Sequence, residues 1–163
     1  MTAQKGLLWL RDSGDDARHR VRWKWLSGAA TVTGEFGDPS NGDAYALCIY
    51  DGASSLVRAL SIPAGGTCGT RPCWRQTSTG FRYRNRDLTP DGVSSLRLRA
   101  GGDGRARIVL QGMGGRLAVP DLGQLGSSVV VQLRKSSGGA CWGALYSPPF
   151  TRSDAAEFRD KAD

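Results

Sequence analysis

Arginine recurs at every second position in three places: Phe81-Arg82-Tyr83-Arg84, Leu96-Arg97-Leu98-Arg99 and Arg105-Ala106-Arg107-Ile108. A guanidinium is a permanent cation. Its planar fork of donors matches a carboxylate, sulfate or phosphate, bidentately where geometry allows. A period of two is the strand period. Arg82, Arg84, Arg97, Arg99, Arg105 and Arg107 therefore point one way, and Phe81, Tyr83, Leu96, Leu98, Ala106 and Ile108 the other. The spacing predicts neighbouring strands with an apolar inner face and a cationic outer face. That outer face is the candidate site for an anionic ligand. The plainer use of such charge is to keep the domain soluble and its sheet edges unpaired.

Aromatic side chains are the second chemical resource. Of the five tryptophans, Trp9, Trp23 and Trp25 lie in apolar runs or at inward positions and are expected in the core. Trp74 and Trp142 each follow a cysteine. If the cysteine points inward, the next strand residue points outward. These two are the candidate exposed rings, able to stack on a sugar; the equal alternative is that they pack over the disulfides or in a neighbouring interface.

Catalytic constellations are looked for and not found. The single histidine, His19, sits in a basic turn and reads as solvated, and no Gly-x-Ser-x-Gly elbow is present. Most of the 15 acids cluster in turns, with no privileged pair for glycoside hydrolysis. The Gly-rich segments match no phosphate loop, and no cofactor motif appears. Asp38-Pro39-Ser40-Asn41-Gly42-Asp43 carries oxygen ligands but lacks the acidic register of a calcium loop, so it reads as a turn.

The cysteines number four, an even count that suggests two disulfides and an oxidising compartment. Cys68 and Cys73, with Pro72 between, suit a small closed loop, which leaves Cys48 with Cys141. Four cysteines allow three connectivities, so the other pairings stay open. Bridging Cys48 to Cys141 would add about 4 kcal/mol in the chain-entropy model. Zinc is the weaker reading, because the spacings do not repeat and only one histidine is available. Redox chemistry is disfavoured by the lack of a C-x-x-C spacing.

These groups need elements to position them. At 163 residues the chain suits one domain over 1–163 with a real core. Its 23 glycines fall between apolar runs, as in all-β domains of many short strands. Strands are expected at Lys5–Arg11, Arg20–Leu26, Ala44–Tyr50, Leu56–Ile62, Phe81–Arg84, Val93–Ala100, Arg105–Gln111, Ser128–Leu133 and Ala140–Tyr146, and a short edge-like segment at 117–120, where Pro120 cannot continue a central ladder. About nine strands at this spacing predict a two-sheet β-sandwich, Ig-like or jelly-roll-like. Ser153 to Lys161 is expected to form a short capped helical turn pinned by Phe158. No stretch approaches the ~20 apolar residues of a membrane helix. No leader pattern occupies the first residues, so an extracellular address implies one removed ahead of Met1.

Several segments together resemble a known family: Leu47-Cys48-Ile49-Tyr50-Asp51, Pro63-Ala-Gly-Gly-Thr-Cys68-Gly-Thr-Arg-Pro-Cys73-Trp74, Gly80-Phe-Arg-Tyr-Arg-Asn-Arg86, Thr89-Pro-Asp-Gly92, Ala140-Cys141-Trp142-Gly-Ala-Leu-Tyr-Ser147 and Phe158-Arg-Asp-Lys-Ala-Asp163. The same order occurs in an uncharacterised family of β-rich modules from secreted proteins of environmental bacteria, in which lysine mostly fills the outward positions. The resemblance implies an extracellular address and one fold unit. The family has no established activity and supplies no catalytic residue.

The net charge of +7, carried mainly by arginine, favours polyanionic partners. The expected function is a non-catalytic secreted binding or adhesion module, its ligand an acidic polysaccharide or other anionic surface. Nucleic acid is disfavoured, since no recognition motif is present. The rival expectations are a self-assembling subunit of an extracellular fibre or surface layer, and an accessory domain of a secreted hydrolase.

Overall fold

The computed structural model describes residues 1–163. The chain is all-β. Its strands are β1 (Ala3–Arg11), β2 (Arg20–Gly28), β3 (Tyr45–Tyr50), β4 (Leu56–Ile62), β5 (Thr67–Cys68), β6 (Arg71–Pro72), β7 (Trp74–Thr77), β8 (Gly80–Arg84), β9 (Val93–Arg99), β10 (Ala106–Met113), β11 (Val129–Lys135), β12 (Cys141–Tyr146), β13 (Arg152–Ser153) and β14 (Glu157–Lys161). The fourteen strands exceed the expected nine. The nine expected strands are present, but the edge-like segment expected at 117–120 is irregular chain with Leu117 buried; the additions are the short pieces β5, β6 and β13, together with β7 and β14.

Eight strands form one sheet in the order β13-β14-β1-β2-β10-β9-β8-β7. Four form a second, β12-β11-β3-β4, and β5-β6 is a separate ribbon. Every strand pairing is antiparallel. Alternation decides which side of each strand is dry. On the large sheet Leu8, Trp23, Tyr83, Leu96 and Ile108 are buried, and on the small one Leu47, Val131, Leu133 and Trp142. All belong to one cluster of 31 buried residues drawn from both sheets. Each such large side chain contributes about 1.5–3 kcal/mol by leaving water.

The C-terminal segment corrects an expectation. Ser153 and Asp154 look like a helix cap, but Asp154 Oδ1 accepts from the backbone N–H of Ala156 and of Glu157, 2.9 and 2.8 Å away, and closes the β13–β14 turn. The chain then runs as a strand against β1, with Phe158 opposite Leu10. Phe158 is fully buried, so it does pin the segment. Tertiary pairing overrides a local cap that suits either structure. The 38–43 loop is the expected turn: the Asp38 carbonyl accepts from the N–H groups of Asn41, Gly42 and Asp43.

Candidate anion-binding face

The outward positions of β7 to β10 lie in register. Arg75 faces Arg82 across β7–β8, and Arg82 faces Arg97 across β8–β9. One residue pair along, Arg84 faces Ser95; in the other direction Arg99 faces both Gly80 and Arg107. Strand spacing sets the backbones in each row about 4.8 Å apart. Like charges placed directly opposite one another destabilise a sheet. Nothing nearby compensates them. The arginine–carboxylate pairs of the chain are Arg18–Asp15, Arg152–Asp154 and Arg152–Glu157, all away from these rows. Partial burial, and then the guanidiniums of Arg84, Arg97 and Arg75, push the pKa of Arg82 below the ordinary arginine value.

Gly80 makes the register possible. Its φ is +151°, and a Cβ there would stand 2.1 Å from the Leu98 carbonyl oxygen. Only glycine lets the β7–β8 hairpin approach β9 this closely, so Gly80 positions Arg82 against Arg97.

The disulfide loop closes one end of the face. Cys68 and Cys73 are bonded, with their Cα atoms 4.9 Å apart, and β5 and β6 pair within the loop. Gly69 turns the loop at φ +66° and donates its N–H to Asp87 Oδ2 at 3.1 Å. The Cys73 carbonyl accepts from the Arg84 N–H at 2.8 Å, which ties the loop to β8. Between loop and sheet lies a cavity of about 530 Å³. Arg71, Arg75, Arg82, Arg84 and Arg86 line it with the loop itself, and no carboxylate does. A smaller groove of about 300 Å³ continues past Arg82, Arg84 and Arg97 to Ser95 and Gln111. Such a surface can hold several oxyanions at once through charge-assisted hydrogen bonds.

Several expected site residues are placed differently. Arg82, Arg84, Arg97, Arg99 and Arg107 share the face, whereas Arg105 sits in the β9–β10 turn at its rim. The expected exposed rings are not exposed. Trp142 is 0% exposed, packed 5.1 Å from the Phe36 ring centroid, and its Nε1–H reaches the Thr31 hydroxyl. On β12 it is Cys141 that points outward, so the parity is the reverse of the one assumed. Trp74 is 4% exposed, lies between Tyr45 and Tyr83, and donates its Nε1–H to the Pro63 carbonyl at 2.8 Å. Here Cys73 and Trp74 are both buried, because the chain bends from the ribbon into β7.

The outward tryptophan is Trp9. Leu8 and Leu10 are buried, which leaves Trp9 half-buried on the outer face opposite Arg22 and Arg159. Its signal was the alternation inside Leu8-Trp9-Leu10, masked by an unbroken apolar run.

His19 is also not the solvated residue expected. It is 8% exposed, with Nδ1 3.1 Å from the Leu117 carbonyl oxygen and Nε2 3.1 Å from Asp12 Oδ1. It holds the first turn to the 117 segment.

The second expected disulfide is absent: Cys48 and Cys141 are free thiols. They lie on β3 and β12, which flank β11, opposite Gln132 and Arg134 respectively. Two strand spacings separate them by about 9.6 Å sideways alone. A disulfide needs Cα atoms within about 7 Å.

The chain matches no family model, no curated protein and no solved structure.

Proposed function

We propose that this chain is a non-catalytic binding module that holds an acidic polysaccharide, or another polyanionic surface, on the outer face of its large sheet. One observation carries the reading. Arg75, Arg82 and Arg97 stand side by side on three adjacent strands, and no carboxylate answers them. Like charges set opposite one another repel, whereas a polyanion converts that repulsion into attraction. The cavity at the disulfide loop supports the same reading, since five of its ten lining residues are arginines. The Cys68–Cys73 bridge supports an oxidising, extracellular setting. No helix is long and apolar enough to cross a membrane. In this reading the two larger sheets are the layers of a sandwich, since their inward residues share one buried cluster.

Edge-to-edge assembly into a fibre draws no comparable support. The free edge of β12 is engaged by Met1, which donates its amino group to the Cys141 carbonyl and accepts from the Gly143 N–H, and by the Asp163 N–H, which reaches the Leu145 carbonyl. On β4 the Ser61 N–H is taken by Asp91 Oδ2 at 2.8 Å. Contacts of this kind make the small sheet's edges poorer templates for a further strand.

The test is retention on heparin and on alginate columns. Arg82→Gln with Arg97→Gln removes two charged contacts, and affinity falls about 100-fold. Arg134→Gln, on the outward side of the small sheet, elutes with wild type. Equal elution of all three proteins would remove the proposal.

A further inference from the structure

A second row crosses the same face from the disulfide cavity to the opposite end of the sheet. Arg84 faces Ser95, Ser95 faces Gln111, Gln111 faces Arg22, Arg22 faces Trp9, and Trp9 faces Arg159. These residues follow one another across six adjacent strands, a track of about 24 Å at the usual strand spacing. Its chemistry changes along the way. Arg84 lines the cavity at one end. Ser95 and Gln111 supply neutral hydrogen-bonding groups in the middle. At the far end a half-buried indole lies between two exposed guanidiniums.

Trp9 is held in orientation. Its Nε1–H donates to Glu157 Oε1 at 2.9 Å, and Glu157 Oε2 lies 3.3 Å from Arg152 Nη1. The only polar atom of the ring is thus occupied, and the carboxylate beside it is paired with Arg152, a guanidinium it shares with Asp154. What Trp9 offers a ligand is the ring itself. A sugar ring presents an apolar C–H face that packs on an aromatic surface, while its carboxylate or sulfate groups project sideways. A tryptophan flanked by arginines on both neighbouring strands matches that arrangement.

We propose that Trp9 is the stacking platform of an acidic-oligosaccharide track, flanked by Arg22 and Arg159 and running across the strands to Arg84. The proposal rests on the polyanion reading of this face and specifies its ligand. A single-stranded nucleic acid is the less fitting occupant. Such strands are held by successive bases stacking on several aromatics, and Trp9 is the one aromatic directed outward from this sheet, since Trp23, Trp25, Trp74, Phe81, Tyr83 and Phe158 are all buried.

The experiment compares three ligands of similar charge by calorimetry: a heparin-derived octasaccharide, inorganic polyphosphate and an oligothymidylate. The variants are Trp9→Leu, which keeps apolar bulk over the sheet, and Trp9→Phe, which keeps a ring. Each is first checked for a wild-type circular-dichroism spectrum. Trp9→Leu is expected to weaken the octasaccharide about fivefold and to leave polyphosphate unchanged, and Trp9→Phe to recover most of the loss. Equal loss on octasaccharide and polyphosphate, or no loss on the octasaccharide, overturns the platform. Tighter binding of oligothymidylate than of octasaccharide, abolished by Trp9→Leu, overturns the sugar in favour of nucleic acid. Wild-type binding of polyphosphate alone also overturns the inference while the anion-binding face stands. Binding of none of the three removes both.

Discussion

The outward faces of the two sheets share a backbone pattern and differ in chemistry. On the large sheet the outward positions of β7 to β10 are mostly arginine, set opposite one another. On the small sheet the outward positions include Ala46, Cys48 and Tyr50 on β3, Ala59 and Ser61 on β4, Val130, Gln132 and Arg134 on β11, and Cys141, Gly143 and Leu145 on β12. Among them Arg134 is the single charged residue. If charge served solubility alone, both signs would be interspersed over both faces. Concentrating one sign on one sheet costs stability there and leaves the other sheet without that cost. The contrast shows that the arginine rows are not a requirement of building an outward strand face in this fold. The fold supports a face without them.

Both faces depend on one interior, and the strongest way to break the comparison is to remove part of it. Trp142→Ala empties a fully buried site between Phe36 and Thr31 and is expected to cost about 3–5 kcal/mol in urea unfolding. Leu145, three residues on, points outward and is 45% exposed. Leu145→Ser is expected to change stability by about 0.5 kcal/mol or less. A large cost for Leu145→Ser would mean that the small sheet's outer face is covered, and the contrast between wet faces would fail.

A smaller effect sharpens the same contrast through the thiols. Without reductant, one cysteine is expected to react with a thiol reagent in the folded protein and a second only after denaturation. Cys141 is half-exposed and reacts first, while Cys48 is buried. Burial holds the Cys141 thiol above its ordinary value of 9.0. The reactive thiolate is therefore scarce at neutral pH, and labelling of the native protein accelerates as pH rises through and beyond 9. No reactive thiol in denaturant would mean that Cys48 and Cys141 are bridged and that β3 and β12 do not flank β11.

What could be read in advance follows from physical range. Alternation is local, so the strands and the arginine face were legible from Phe81-Arg82-Tyr83-Arg84 and its two counterparts. The Cys68–Cys73 loop was legible because its partners are five residues apart. Strand order is not local. Nothing within β3 or β12 tells that β11 comes between them, so the Cys48–Cys141 pairing failed for a reason no spacing rule reveals. Trp142 was misplaced because one assumed cysteine orientation inverts every residue after it. Trp9 was hidden by apolar neighbours on both sides. The C-terminal strand was hidden because Asp154 caps a turn with the same side-chain hydrogen bonds it would give a helix. His19 was misjudged because its partner Leu117 is 98 positions away.

The smallest effect is the most direct measure of what the arginine rows cost. With no ligand, Arg82 and Arg97 repel across β8–β9, and Arg75 repels Arg82 across β7–β8. Raising ionic strength from about 0.01 M to about 0.1 M shortens the Debye length from about 30 to about 10 Å. Sodium chloride is therefore expected to raise the melting temperature over this range, by about 2 °C or less. Arg97→Gln keeps much of the aliphatic stem and removes the charge. It should melt higher than wild type at low salt and gain less from added salt. Arg134→Gln, on the small sheet opposite Ala46 and Cys141 rather than another arginine, should do neither. If Arg97→Gln instead melts lower and responds to salt as wild type does, the guanidinium is held by packing of its stem, the row is a structural asset, and the inference that its cost is offset by a bound polyanion loses its footing.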